Sequence, residues 1–405
     1  MTNKTPLVLA YSGGLDTTYC LHTLVEQGFQ VHTVFVDTGG HDALALQAIE
    51  DKAVALGAYK HHTLNAQQAV WDSFVKPLIW SHARMRNEYP LLCSDRYVIV
   101  QLCLQLCDQL NTAHFAHGCT AMGNDQFRFD QTVHSLGDYT IHAPIRDLQD
   151  SVDSVRDHEL QVLAQHGIQM SQAHQKYSIN ENMLGVTISG SGIDDFAAPE
   201  HDSYVLTQPA SAWPKQPLSL SIGFESGVAN SLNGVAMSGP QLIQTLNQQL
   251  GAYGVGRHIY TGDVSIGIKG RIVFECPAID ALMCAHQALE DTVNSKLQIQ
   301  FRDTLASRWA ELLYQGFYYD PHKHDLEAML QNSQTHVSGQ VTLLTEGGTV
   351  LATDVKSPWI VRDADSVYAQ SANWSADAAL GFIQLTGQSS ALVNQIRRQE
   401  HSNAG

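Results

Sequence analysis

A short apolar run, Leu7-Val8-Leu9-Ala10, leads into Tyr11-Ser12-Gly13-Gly14 and then into a helix-like stretch from Asp16 to Glu26, closed before Gly28. This strand, glycine turn and helix constrain the fold most, because the chain goes on to repeat the unit. Val31 to Val36 reads as a second buried strand, turned by Asp37-Thr38-Gly39-Gly40 and followed by a helical pattern from His41 to Leu56. Tyr59 to Leu64 alternates toward a third strand. Helical patterns cover about 66 to 86 and 96 to 110, and His114 to His117 is a short strand running into Gly118. Strands alternating with helices predict an α/β fold with a doubly wound parallel sheet, whose ligands bind in loops at the carboxyl ends of the strands.

After about residue 150 the pattern changes. Ser151 to His166 is helical, and Gly167 with the Gln-rich segment to Gln175 reads as a linker. From 185 to 239 the chain is rich in Gly and Ser, with strand-like pieces at Tyr204-Val205-Leu206 and Leu218 to Phe224. Helices return at 240 to 250 and 278 to 316, and strands at 340 to 352, which predicts an α+β second domain. Ser375 to Gln399 is a helix-prone tail, of a kind that docks on a neighbouring subunit or stays loose. The limits expected from these shifts are 1–168, 169–365 and 366–405.

Composition narrows the function classes. Hydrophobic residues are 44% of the 405, enough for a buried core and too many for disorder as the dominant state. No run of about 18 apolar residues offers a membrane span, and the apolar start is too short for a signal peptide. Forty Asp and Glu against 23 Lys and Arg give a net charge of −17, which repels phosphate backbones and argues against a nucleic-acid partner. The seven cysteines are scattered, with no C-x-x-C, so a thioredoxin-like pair and zinc-ribbon spacing are excluded. That usage fits a reducing compartment, and a cytoplasmic protein is expected. None of the 20 histidines falls in H-E-x-x-H; His61-His62 and His322/His324 read as solvated surface rather than metal ligands.

The chemistry is concentrated in Ser12-Gly13-Gly14-Leu15-Asp16-Thr17-Thr18. Adjacent glycines let the backbone turn with its N–H groups exposed, and the following helix aims its positive end at the same point, so an anion is held there. The string is neither a Walker A loop nor a dinucleotide fingerprint. Asp16 would repel a bound phosphate unless a Mg²⁺ ion is shared between them. The plainer reading of the glycine pair is a turn before a helix capped by Ser12 or Asp16.

The S-G-G-x-D-[ST] loop resembles that of the N-type ATP pyrophosphatases, and Ala10 to Thr17 looks like the argininosuccinate synthase family within that group. His117-Gly118-Cys119-Thr120-Ala121-Met122-Gly123-Asn124-Asp125-Gln126-Phe127-Arg128-Phe129 is similar to that family's H-G-x-T-G-K-G-N-D-Q-x-R-F. Weaker echoes come in order at Tyr89 to Ser94, Tyr177 through Thr187, Gly254 to Arg257, Lys269 to Pro277 and Gly381 to Ile383, so the resemblance spans nearly the whole chain.

The resemblance implies a Rossmann-like nucleotide-binding domain of the adenine nucleotide alpha hydrolase type over 1–168, a synthetase and oligomerisation domain over 169–365, and a C-terminal helical tail over 366–405. It implies an ATP site lined by Ala10, Tyr11, Ser12, Gly13, Gly14, Leu15, Asp16, Thr17, Thr18, Val36 and Gly118. Aspartate would be held by Thr120, Asn124 and Asp125, and citrulline by Tyr89, Ser94, Asn124, Arg128, Ser178 and Thr187. Asp16, Ser12 and Asp125 are the candidate catalytic residues, with Asp16 also the candidate Mg²⁺ ligand. If the turn after Thr120 continues as helix, Asn124 and Arg128 fall on one face as a carboxylate clamp. A local Asp125–Arg128 ion pair beside an ordinary Asn turn accounts for the same residues.

The family's activity is ATP-dependent ligation of citrulline and aspartate to argininosuccinate through a citrullyl-adenylate, releasing AMP and diphosphate in arginine biosynthesis, in a homotetramer. Departures fall mostly on the citrulline side. Ala121-Met122 stands for the family's Gly-Lys, Gly262 for a glutamate, Phe274 for a tyrosine and Ser189 for a glutamate of some members. Asp95-Arg96-Tyr97 replaces the usual residues after Ser94. Either other residues satisfy citrulline here, or aspartate is joined to a different ureido or amide acceptor. A nucleotide-binding regulator without catalysis is the non-enzyme alternative.

Overall fold

In the computed structural model, which describes residues 4–149, 151–168, 177–200, 203–368 and 370–403, the strand–helix repeat builds a five-stranded parallel sheet. Its strands β1 (Pro6–Ala10), β2 (Gln30–Asp37), β3 (Lys60–Asn65), β4 (His114–Ala116) and β5 (Thr140–His142) lie in the order β3-β2-β1-β4-β5. Leu7 pairs with Val31, Leu9 with Thr33 and Val8 with Phe115. Alternate side chains leave a strand on opposite faces. Leu7 and Leu9 therefore enter a core with Tyr11, Leu21 and Leu24, whereas Val8 and Ala10 enter another with Val34, Val36 and Phe115. The helices α1 (Leu15–Glu26) and α8 (Val155–Gln165) cover the first face, and α5 (Asp95–Gln109) the second, as a parallel sheet requires. The direction of winding reverses between β1 and β4, which opens the crevice where such sheets take ligands.

The helix expected over 66 to 86 is broken. It runs as α3 (Gln67–Val70), a π-turn at Trp71–Val75 and α4 (Lys76–Ser81), then stops at His82 with φ 53°. The wider turn puts Trp71, Phe74 and Val75 into the core together. Between α2 (Ala43–Ala55) and the second half of the chain, α6 (Asp125–Leu136) and α7 (Pro144–Leu148) complete the set around the sheet.

Two antiparallel sheets come after it. One has the order β11-β12-β7-β6, from β6 (Ser178–Asn182), β7 (Gly185–Ser189), β11 (Arg257–Asp263) and β12 (Lys269–Glu275). The other has the order β10-β9-β8-β13-β14, from β8 (Leu218–Glu225), β9 (Val228–Leu232), β10 (Val235–Ala236), β13 (Gly339–Gly347) and β14 (Thr349–Lys356). Four helices accompany them: α9 (Gly239–Gly251), α10 (Pro277–Val293), α11 (Lys296–Tyr314) and α12 (Pro321–Ser333). The helix expected over 278 to 316 is two helices, because Ser295 opens a capping box with Gln298 and starts α11 afresh. Tyr204 to Leu206 is not a strand. The N–H groups of Val205, Leu206 and Thr207 instead donate to the buried Glu275 carboxylate at 2.9, 3.1 and 2.8 Å.

The histidine pair at 61–62 is not solvated surface either. His61 is buried with Nδ1 2.9 Å from the Thr33 hydroxyl, and His62 Nε2 lies 3.2 Å from His32 Nδ1, because β3 lies alongside β2. Among the described residues two clusters have ligand-like spacing, His82/His286/Glu290 and His258/Cys276/Asp280. In each the carboxylate is already paired, Glu290 with Arg302 at 2.5 Å and Asp280 with Arg84 at 2.7 Å. The expected linker to Gln175 falls mainly on 169–176, outside the described residues. The chain divides into two compact units, Met1–Trp359 and Ile360–Gly405; the second contains α13 (Ala376–Asn403). Among the described residues no helix is long and apolar enough to cross a membrane.

Candidate active site

The loop after β1 turns through Gly13 at φ 75° and starts α1 from an extended Gly14. Neither Ser12 nor Asp16 caps the helix: the N-cap is Gly14, which has no side chain to offer. The first turn of α1 thus keeps the uncapped N-terminus that attracts anions. Within the loop the contacts are long. Ser12 N–H donates to Thr17 Oγ1 at 3.3 Å, Gly14 N–H to Ser12 Oγ at 3.4 Å, and the Thr18 hydroxyl to the Gly13 carbonyl at 3.4 Å. Bonds of that length are weak and readily exchanged for a ligand.

The second motif lies against the first. A Cβ on Gly118 would sit 3.2 Å from Asp16 Cβ and 3.2 Å from Thr17 Cγ2, so the glycine lets the two loops approach more closely than a side chain would without a shift. His117 anchors the turn beside it: its Nδ1 accepts from Cys119 N–H at 3.1 Å, which leaves Nε2 as the donor to Asp130 at 2.9 Å. Arg146 holds the same carboxylate at 2.5 Å. Val36 is buried in β2, in the neighbouring strand.

Burial raises the Asp16 carboxyl above its ordinary range, against the pull of Arg156. Glu159 on α8, 2% exposed, is pushed up to about 8 by burial and then by the Asp16 charge. Its Oε1 has no hydrogen-bond partner. Two buried carboxyls, one of them held protonated in part by the other's charge, are a donor set suited to a divalent cation.

At the start of α6, Asn124 is the N-cap position and Asp125 the first helical residue. Asn124 and Arg128 lie one turn apart at the start of α6, Arg128 N–H donating to the Asn124 carbonyl at 3.3 Å, and each side chain has a protein partner. Asn124 Oδ1 accepts from Ser265 N–H at 2.8 Å, and Arg128 Nη1 pairs with Asp125 at 2.6 Å, the local i,i+3 arrangement. Arg96 joins them: it reaches Asp125 at 3.3 Å, Asp95 at 2.9 Å and Asn180 Oδ1 at 2.6 Å. Burial works to raise the Asp125 carboxyl, but Arg96 and Arg128 outweigh it and hold it below the usual carboxylate range. Arg128 is itself buried, and its Nε lacks a partner. Thr120 accepts from Met122 N–H at 3.4 Å, while Met122 itself is 52% exposed.

Tyr89, Ser94 and Thr187 are buried near one another. The Tyr89 hydroxyl donates to Cys93 Sγ at 3.3 Å, and Cys93 Sγ lies 3.7 Å from Thr187 Oγ1. Ser178 is exposed, on the same face of β6 as Asn180. The Tyr89 ring is stacked on Tyr260 at 5.5 Å and meets Phe274 edge-on at 5.3 Å. Tyr260 fills the space beside Gly262, where a Cβ would come within 2.3 Å of its hydroxyl oxygen.

Lys52, Glu159, Asn180 and Tyr260 escaped the sequence reading, since each reaches the site from an element far away in the chain. Arg96 drew notice only as a departure; its place beside Ser94 was the available signal.

Residues 6–169 match the family described as "Arginosuccinate synthase N-terminal HUP domain", and residues 177–393 match "Arginosuccinate synthase C-terminal domain". The argininosuccinate synthase of Xylella fastidiosa is 48% identical over 402 residues, covering 99% of this chain and 100% of that protein. That of Xanthomonas campestris pv. campestris is 48% identical over 392 residues, covering 97% and 99%. The more distant enzyme of Bacillus pumilus is 32% identical over 409 residues and covers both chains fully, at 100% each. With both halves matched and relatives aligned from end to end, the chain belongs to the argininosuccinate synthase family.

Proposed function

We propose that this protein is an argininosuccinate synthase, joining citrulline to aspartate with ATP and releasing AMP and diphosphate. The observation that carries the reading is the contact of Gly118 with Asp16 and Thr17, which joins the two motifs into one site at the β1–β4 crevice. The ureido oxygen of citrulline attacks the α-phosphorus of ATP, and the bond to the β-phosphate breaks. The aspartate amine then attacks the ureido carbon and expels AMP. The backbone from Ala10 to Thr18, with Val36 and Gly118, holds ATP, and Ser12 and Asp16 face the departing phosphates. Thr120, Asn124 and Asp125 hold aspartate, with Asp125 kept anionic by Arg96 and Arg128 to receive an ammonium group.

Tyr89, Ser94, Asn124, Arg128, Ser178 and Thr187 hold citrulline; the unpartnered Arg128 Nε supplies a donor for it. Asp16 and Glu159 fit a Mg²⁺ ion, because one oxygen of Glu159 is buried without a partner; when bound, the ion neutralises charge on diphosphate. Positioning and charge neutralisation supply most of such catalysis, so no nucleophilic side chain is needed.

A ligase for a different ureido or amide acceptor is the second reading, favoured by Tyr260 standing over Gly262. We further propose that the protein acts in the cytoplasm as a homotetramer, divided as a nucleotide domain over 1–168, a synthetase domain over 169–365 and a tail over 366–405.

Diphosphate release with Mg²⁺, citrulline and aspartate, each omitted in turn, tests the function. Release that requires citrulline, with argininosuccinate and AMP formed, is expected; ATP binding without citrulline-dependent release would favour the second reading. Asp16→Ala is expected to abolish release while its circular dichroism spectrum stays that of the parent. A variant with full activity would remove Asp16 from its role.

A further inference from the structure

The glycine loop is supported from outside by α2. Asp42 caps that helix, accepting from Ala45 N–H at 2.8 Å, and so fixes where its later turns lie. Ile49 and Lys52, three residues apart, share one face of α2. Ile49 Cγ1 stands 3.4 Å from where a Cβ on Gly13 would be, so the loop rests on it. Lys52 Nζ donates to the Gly13 carbonyl oxygen at 2.7 Å. The lysine is half-buried, and burial draws its pKa below the ordinary lysine range.

The carbonyl of Gly13 and the N–H of Gly14 belong to one planar peptide and point in opposite directions. A peptide between two glycines rotates easily, since neither residue has a Cβ to restrict it. A short charge-assisted bond to one end of that peptide settles the direction of the other. The Thr18 hydroxyl reaches the same carbonyl only at 3.4 Å, so Lys52 is the stronger hold. On the opposite side Gly14 N–H makes a 3.4 Å contact with Ser12 Oγ, which an anion oxygen can replace.

We propose that Lys52 is a positioning residue of the anion-binding loop: bonded to the Gly13 carbonyl, it holds the Gly13–Gly14 peptide with its N–H turned toward the phosphates of ATP. The inference rests on the reading of this loop as the ATP site. Lys52 touches no substrate; it acts through the peptide it holds.

The test compares full-length Lys52→Met, Lys52→Gln and Lys52→Arg with the parent. Binding of ATP and of inorganic diphosphate is measured by calorimetry, alongside steady-state kinetics. Lys52→Met is expected to weaken both ligands about tenfold, the size of one lost charge-assisted bond. The KM values for citrulline and aspartate should stay within about twofold, because uniform damage would move all three substrates together. Lys52→Arg keeps the charge and the donor and should recover most of the affinity, with Lys52→Gln between. Parent-like ATP affinity in Lys52→Gln, or an arginine variant no better than methionine, would overturn the proposal. If Lys52→Met does not fold, the Gln and Arg variants decide it. A parent that binds ATP yet releases no diphosphate with citrulline and aspartate refutes the proposed reaction but leaves the binding comparison decisive for Lys52. A parent that binds no ATP overturns both.

Discussion

At Gly262 the missing side chain is occupied space rather than a gap. A Cβ there would lie 2.3 Å from the Tyr260 hydroxyl oxygen, a distance no real contact tolerates. Tyr260 cannot move without disturbing Tyr89, whose ring it stacks on. Gly262→Ala should therefore cost roughly 1–3 kcal/mol of stability, as overpacking does, and raise the KM for citrulline with the KM for ATP unchanged. The ring carbons Cζ and Cε1 of Tyr260 would also lie 2.5 and 2.9 Å from that Cβ, so the clash is with the ring edge, and Gly262→Ala should cost little in a chain that already carries Tyr260→Ala. Thermal unfolding and steady-state kinetics of the two single variants and the double variant check this; an equal cost of Gly262→Ala with and without the ring would discard the clash as the cause. The difference between Gly262 and Gly13 shows what a sequence can disclose. Ser12 to Thr18 is legible because its chemistry is local, a turn and a helix start in seven consecutive residues. Tyr260 and Arg96 act through partners brought by folding: Tyr89 is 171 residues before the one, and Asn180 is 84 residues beyond the other. No spacing rule reaches that far.

Between elements, two packings make stability depend on pH in opposite directions. Where α8 meets α1, Glu159 is pushed up to about 8 from 4.5 by burial and Asp16, so the folded state keeps a proton that the unfolded chain releases. That contribution is complete below pH 4.5 and declines as the pH rises toward 8. Where β2 meets β3, His62 is drawn down from 6.5 to about 4 by burial and by its neighbours Lys60, His32 and His61. Its contribution is present above pH 6.5 and is lost as the pH falls through 4. In magnesium-free buffer, Glu159→Gln should flatten the fall in Tm between pH 5 and 8, roughly. His62→Gln should flatten the fall below about pH 6. Tm profiles parallel to the parent's would refute either assignment. Glu159 is the more buried group and its effect the larger expected one; His62 is only partly buried, and solvent screens it. The parallel sheet itself was readable, since Leu7 to Ala10 and Val31 to Val36 are β-prone and the helices that follow them are closed by Gly28 and Gly57. The strand Ser178–Asn182 was not, because Ser-Ile-Asn-Glu-Asn is polar and becomes a strand only by pairing with Gly185–Ser189. The break at 71–75 escaped for a related reason: a π-turn keeps the helical spacing of apolar residues while redirecting the helical turn after it.

For the molecule as a whole, the apolar surface of α13 is what the proposed tetramer must explain. Phe382, Leu385, Leu392 and Ile396 recur at helical spacing and are 71%, 77%, 50% and 56% exposed. Exposed apolar residues repeated along one helix in this way are unusual on a monomer and mark a surface made for contact. A net charge of −17 works against association, so assembly has to be driven by apolar burial rather than by attraction between charges. Replacing Phe382 and Leu385 together by glutamate adds charge where that burial is needed. The parent is expected to sediment at four times the chain mass, and the double variant at a lower mass, with the difference persisting at high salt. ATP binding should survive in the variant, because the loop from Ser12 to Thr18 is formed within Met1–Trp359 and the bonds of Ser12, Gly14, Thr18 and Lys52 that hold it lie within that unit. Equal masses for parent and variant would remove the stripe as the assembly surface. Loss of ATP binding together with assembly would mean instead that the site depends on the oligomer, and sedimentation run with and without ATP separates those two outcomes.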